Sequence, residues 1–256
     1  MKNKVISLIS AVLLLILVVC IRCCQPKESE MAAQIILAVL EAVEEYQEPP
    51  EPEAPKETQP RDDVQIPVFS GEPFVAINGN IPFFREEEYT TESYESFSEL
   101  DALGRCGMVM ACIGQDLMPT EERGEIGHIK PTGWHSVRYD CVEGGSLYNR
   151  CHLLGFQLTG ENANRQNLIT GTRFMNVEGM LPFEDMVADF VKETNEHVLY
   201  RVTPIYESKE DLLAIGVVME GWSVEDKGES ICFCVFVYNS QPGIEIDYST
   251  GESREE

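Results

Sequence analysis

Residues 148–176 of this 256-residue chain read YNRCHLLGFQLTGENANRQNLITGTRFMN and hold the chain's most reactive grouping. Arg150 and His152 stand two apart at the end of an apolar run, so one strand delivers both side chains together. A loop rich in Gly, Asn and Gln follows from 155 to 166, then a brief apolar stretch at 167–170 and helical patterning that carries Asn176 on its first turns. A neutral imidazole can take a proton from an attacking water, and an amide oxygen can hold a hard divalent cation. Such a cation neutralises phosphate oxygens and a leaving alkoxide, so these parts suit hydrolysis of a phosphodiester.

The elements that must position these residues follow from spacing. Residues 73–84 carry two apolar runs around Asn78-Gly79-Asn80, a hairpin signal. Residues 107–113 read as a buried strand, 137–139 as a short strand and 147–154 as another. Helical spacing covers about 172–193 with an interruption at 179–182, and Phe183, Met186, Val187, Phe190 and Val191 form its apolar stripe. Three long strands at 197–206, 212–222 and 230–239 read as an antiparallel meander. The expected class is α+β, mostly antiparallel sheet with packed helices.

Further motifs extend the pattern: Gly133-Trp134-His135 upstream, His152-Leu153-Leu154-Gly155-Phe156, Asn167-Leu168-Ile169, then Asn176 and Glu184, and 241–252 near the C-terminus. On these residues the chain resembles the DNA/RNA non-specific endonucleases of the ββα-metal (His-Me finger) type. Within them it is similar to the membrane-anchored DNA-uptake nucleases of Gram-positive bacteria. The resemblance spans about 74–252, with the ββα-metal core at 147–194 inside a nuclease domain at 62–256. It implies His152 as general base and Asn176 as ligand of one Mg2+, with Mn2+ the alternative. It implies that Asn167, on the metal side, and Glu184, among the catalytic residues, hold the metal's waters or orient its ligand. Arg150 would contact phosphate or brace the site. The family motif D-R-G-H stands here as Asn149-Arg150-Cys151-His152. Asn149 therefore lacks a carboxylate beside the base, and Cys151 adds a side chain where the family has none. Lys130, Arg138, Arg165 and Arg173 are candidate phosphate contacts, and Trp134 a candidate for stacking on a base or sugar.

Charge argues the other way at first. The chain holds 44 acidic against 19 basic residues, a net charge of −25, and phosphate affinity ordinarily comes from cations. The distribution changes that reading: residues 123–173 hold six basic against four acidic residues, a local surplus of positive charge around the proposed site. Residues 5–21 are uncharged and follow Lys2 and Lys4, which reads as a signal-anchor within 1–27, with a cleaved signal peptide and secretion as the alternative. Arg22 and Lys27 count against the usual orientation. An amphipathic segment and a Pro/Glu-rich spacer fill 28–61, holding the domain off the membrane. Six cysteines fall in the domain, and Cys232 and Cys234 share one face of a strand, as buried thiols do. The expectation is a metal-dependent endonuclease outside the cell, acting on DNA with RNA as a further substrate, and with the DNA-uptake machinery as a candidate partner. A catalytically weak surface DNA-binding subunit and a secreted antibacterial nuclease are the competing readings.

Overall fold

Near-continuous apolar runs build the central sheet of the computed structural model, which describes residues 66–256. Strands β3 (Val109–Ile113), β6 (Val198–Ile205), β7 (Gly216–Ser223) and β8 (Cys232–Tyr238) are buried almost throughout. With β1 (Phe74–Ala76) and β2 (Tyr94–Phe97) they form a six-stranded sheet in the order β1-β8-β7-β6-β3-β2, with antiparallel neighbours throughout. The class is α+β, and the expected meander is β6-β7-β8. Two-stranded ribbons join β4 (Tyr148–His152) to β5 (Leu168–Thr172) and β9 (Ile244–Ile246) to β10 (Ser253–Glu255).

One face of the sheet is covered by helix α2 (Leu181–Thr194), which follows the one-turn α1 (Phe156–Thr159) in the chain and buries Phe183, Val187, Ala188 and Val191 at helical spacing. Phe183 meets the rings of Phe74 and Phe233 at 4.9 and 4.8 Å. The opposite face is closed by the chain leading into the domain. There Arg201 and Glu220, register partners on β6 and β7, form a buried two-point ion pair at 2.6 and 2.8 Å. Glu220 also accepts from the Phe83 amide, and Arg201 lies over the Phe84 ring, so the pair fastens this segment to the sheet.

Three local expectations need correction. Asn78-Gly79-Asn80 makes no hairpin: all three residues have positive φ in a 3-10 turn, and β1 pairs with β8 instead. Residues 137–139 contribute only a single bridge, Arg138 to Ser146. The helix begins later than 172, because β5 runs to Thr172, and its apparent interruption is a π-helical segment (Met175–Met180) that passes directly into α2 with Pro182 in the first turn. The Leu181 amide still bonds back to the Asn176 carbonyl, and Pro182, which has no amide to donate, follows where the wider turn ends. The six described cysteines are free thiols.

The β4–β5 ribbon is fixed to the sheet by one buried amide. Asn239 accepts from the Thr172 amide and donates to the carbonyls of Thr170 and Ala214. The ribbon's register therefore cannot slip without stranding a buried polar side chain. The anchor and spacer expected at 1–61 lie outside the described residues; among those described, no helix is long and apolar enough to cross a membrane.

Candidate active site

Beside β4 lies a cavity of about 520 Å³, whose walls bring together His152, Asn149, Arg150, Arg173, Asn176, Glu184 and, from an upstream loop, Arg123. His152 is 6% exposed. Its Nε2 is 2.8 Å from the Asn162 carbonyl and its Nδ1 is 3.2 Å from Arg123 Nη2. A carbonyl can only accept and a guanidinium can only donate, so the partners assign the proton to Nε2 and the lone pair to Nδ1. Burial, reinforced by the Arg123 cation and opposed by the Asn162 carbonyl, lowers the His152 pKa to about 4. The base is thus neutral at physiological pH, with its free electron pair turned to the cavity wall that Arg123 occupies.

Asn176 is the second residue of the π-helical segment, and Glu184 sits in the first turn of α2, which continues that segment without a break. Burial, with the charge of Asp185 next, raises Glu184 to about 7, while Gln157 and Arg123 oppose the rise. The carboxylate lies directly over Gly155: a Cβ there would stand 2.5 Å from Glu184 Oε2. The glycine following His152-Leu153-Leu154 is therefore a space requirement of the carboxylate, since its φ of −57° suits any residue. Asn176 and Glu184 supply oxygen donors, and the described residues contain no group of three or more His, Cys, Asp or Glu that could hold a metal. This donor set suits a hard cation that takes its remaining ligands from water and substrate.

The other expected residues divide. Arg150 braces the site: it donates to the Ile129 and Gly127 carbonyls and stacks 4.0 Å above the Trp134 ring. Trp134 lines the cavity with one of its faces taken by Arg150, so a base or sugar would have only the other face to stack on. Asn167 is also placed differently from the expected metal side. It is fully buried, its Oδ1 accepts from the Leu154 amide and its Nδ2 donates to the Leu154 carbonyl, at 2.8 and 2.9 Å. Its amide closes the turn that follows His152. Lys130 and Arg165 are exposed and do not line the cavity, whereas Arg173 does. Cys151, in the position of the motif glycine, is accommodated across the ribbon: a Cβ at Gly171 would meet Cys151 Sγ at an impossibly short distance, so the glycine at 171 makes room for it.

Sequence reasoning missed two groups. Arg123 counted only toward local charge, although it touches the base; it stands alone between Glu121, Glu122 and Glu125, and no motif marks it. The Asn162 carbonyl is a backbone group and leaves no signal in residue types.

A family model described as DNA/RNA non-specific endonuclease matches residues 85–224. Solved structures agree. NucA from Streptococcus agalactiae without metal is 25% identical, with 71% of this chain and 86% of that one covered and a TM-score of 0.62. The magnesium-bound form of NucA is 24% identical over 76% and 91% of the chains, with a TM-score of 0.66. The zinc-bound Sda1 nuclease is 24% identical over 72% and 97%, with a TM-score of 0.62.

Proposed function

The chain belongs to the DNA/RNA non-specific endonuclease family, and from that premise we propose that it hydrolyses phosphodiester bonds of DNA, with RNA as a further substrate, and with His152 as general base. One observation carries the assignment of roles. An imidazole held neutral, with its proton on Nε2, offers Nδ1 to the same cavity that Asn176 and Glu184 line. Nδ1 accepts the proton of the attacking water, and the Asn162 carbonyl holds Nε2–H and steadies the imidazolium that forms. Arg123 occupies Nδ1 in the free protein. A phosphate oxygen is a stronger acceptor for a guanidinium than an imidazole, so substrate draws Arg123 away and opens the base to water. Arg123 then bears on the charge that develops at phosphorus. Arg150 holds the loop at 127–129 and thereby the wall behind Arg123.

Asn176 and Glu184 would hold a divalent cation, Mg2+ with Mn2+ as the alternative. When bound, it would supply charge neutralisation at a non-bridging oxygen and at the leaving alkoxide. The magnesium in NucA and the zinc in Sda1 support use of a divalent ion without selecting one. Lys2, Lys4 and the uncharged run at 5–21 support display of the domain outside the cell on a membrane anchor, where uptake of DNA is one use. Cleavage of 1–27 and release is the other outcome, and protease digestion of intact cells distinguishes the two.

The test of function is nicking of supercoiled plasmid by the purified full chain with Mg2+ and with EDTA, beside His152→Ala and Asn176→Ala. Nicking that needs metal and fails in both variants is expected. Plasmid left intact across several divalent metals, yet retarded in a gel, would replace the enzyme by a DNA-binding subunit.

A further inference from the structure

Two donors on the cavity wall have no acceptor. Asn149 Nδ2 and Arg173 Nε are both buried without a hydrogen-bond partner, although both residues line the cavity. The ribbon explains why they are neighbours. Asn149 is opposite Gly171 in the β4–β5 register, and the Arg173 amide continues the ladder by donating to the Leu147 carbonyl at 2.7 Å. Arg173 is thus the diagonal neighbour of Asn149, within reach of a long side chain, and residue 171 between them adds no side chain of its own, the space over it being filled by Cys151 Sγ and Met175 Sδ. Arg173 forms no ion pair with another described residue. Unpaired buried donors are costly, and a folded protein retains them where water, an ion or a ligand satisfies them; on a cavity wall a ligand can reach both.

We propose that Asn149 and Arg173 form a phosphate subsite, which takes a non-bridging oxygen of the polynucleotide through Asn149 Nδ2 and the Arg173 guanidinium. It rests on the nuclease reading above and adds a substrate contact at the one motif position where this chain departs in charge. An aspartate at 149 would accept from Arg173 itself and close the subsite. The asparagine leaves both donors to the substrate. The departure from the D-R-G-H motif is in this reading a binding feature, and Asn149 is a substrate-contacting residue in its own right.

The experiment sets Asn149→Asp against Asn149→Ala and Arg173→Gln in the full chain. Binding of a fluorescent single-stranded oligonucleotide is measured by anisotropy in a His152→Ala background, so that no cleavage intervenes. Asn149→Asp should raise Kd roughly ten-fold or more, because it removes one donor and neutralises the other. Asn149→Ala should raise it only a few-fold. In Arg173→Gln the difference between aspartate and alanine should shrink, since there is no guanidinium left to capture. Thermal unfolding of Asn149→Asp should match or exceed that of its parent, which separates weaker binding from damage to the fold. A Kd for Asn149→Asp equal to or below that of Asn149→Ala would overturn the subsite, because a merely structural amide tolerates its isostere better than truncation. Failure of wild-type protein to nick plasmid would instead remove the nuclease reading and leave the order of affinities to be judged by itself. An inverted order in a protein whose wild type cuts would remove the subsite alone.

Discussion

Burial displaces the two central ionisable groups in opposite directions, so their effects on stability should cancel over one range of pH. His152 falls from 6.5 to about 4, chiefly through burial, and Glu184 rises from 4.5 to about 7 for the same first reason. The folded value of His152 lies below its unfolded one. Its contribution is therefore complete above pH 6.5 and is lost as pH falls toward 4. The folded value of Glu184 lies above its unfolded one, so its contribution is complete below pH 4.5 and is lost as pH rises through about 7. Between 4.5 and 6.5 the unfolded chain carries the extra proton on the histidine and the folded chain carries it on the glutamate. Each linkage has a slope of about 1.4 kcal/mol per pH unit, or about 2.7 kcal/mol across the window, with opposite signs. Urea unfolding of the full chain in EDTA at both ends of that window reads the balance. Glu184→Gln should lose about 2.7 kcal/mol relative to wild type on going to the acid end, and His152→Asn should gain about as much. Because each variant is compared with wild type at the same pH, distant carboxylates drop out. Flat difference curves for both variants would mean that both groups titrate as solvated side chains, and the desolvated base would have to be abandoned.

Four further outcomes follow from the same geometry. At saturating metal, kcat/KM should hold between pH 7 and pH 5, where a base titrating at about 4 stays about 90% neutral; a histidine at its ordinary value would be about 3% neutral at pH 5 and cost roughly thirty-fold. Arg123→Ala should lower kcat by about a hundred-fold, as loss of a preorganised charge contact at a phosphoryl centre does, and an unchanged kcat in single-turnover cleavage would place Arg123 outside the reaction. Gly155→Ala should displace Glu184 and reduce cleavage about ten-fold or more while circular dichroism stays unchanged; full activity would show that the carboxylate's position is not critical. Asn167→Ala should destabilise the fold by about 2 kcal/mol in urea unfolding, since it strands the amide and carbonyl of Leu154, and a stability within error of wild type would return Asn167 to consideration at the metal.

How much of this was legible in the sequence depended on whether a residue acts near its own place in the chain. His152, Asn176 and Glu184 lie within one ribbon-and-helix unit, so spacing and family resemblance were enough to group them. Asn167 belongs to that unit too, and its family position was right in sequence but not in direction, because an amide can turn inward to a turn as readily as outward to a cation. Arg123 comes from a loop held in place by Arg150 through the carbonyls of Gly127 and Ile129, contacts that residue types do not encode. Local signals also lost to distant ones at 78–80. The Asn-Gly-Asn turn formed with positive φ as the residues allow, but β1 took up the free edge of β8 instead of a local partner. The π-helical segment was read as an interruption since its wide turn breaks the 3.6-residue period on which the reading relied.

The acidity of the chain and the cationic site are reconciled by range. Exposed charges farther apart than the Debye length, about 8 Å at physiological salt, scarcely act on one another. A phosphate in the cavity therefore responds to Arg123 and Arg173 on its walls far more than to carboxylates across the molecule. The harder requirement is to keep guanidinium groups uncommitted in a domain with 35 acidic and 13 basic residues between 62 and 256. Arg105, Arg201 and Arg254 show the usual fate, each held by a carboxylate at 2.6 Å. Arg123 escapes it by resting on a neutral imidazole, and Arg150 by spending its donors on backbone carbonyls and a tryptophan face. Arg173 forms no ion pair with another described residue and stands diagonal to Asn149 in the ribbon, where an aspartate would offer it a carboxylate. In so acidic a protein, the position next to the base is where losing one carboxylate does most for the affinity of a polyanion.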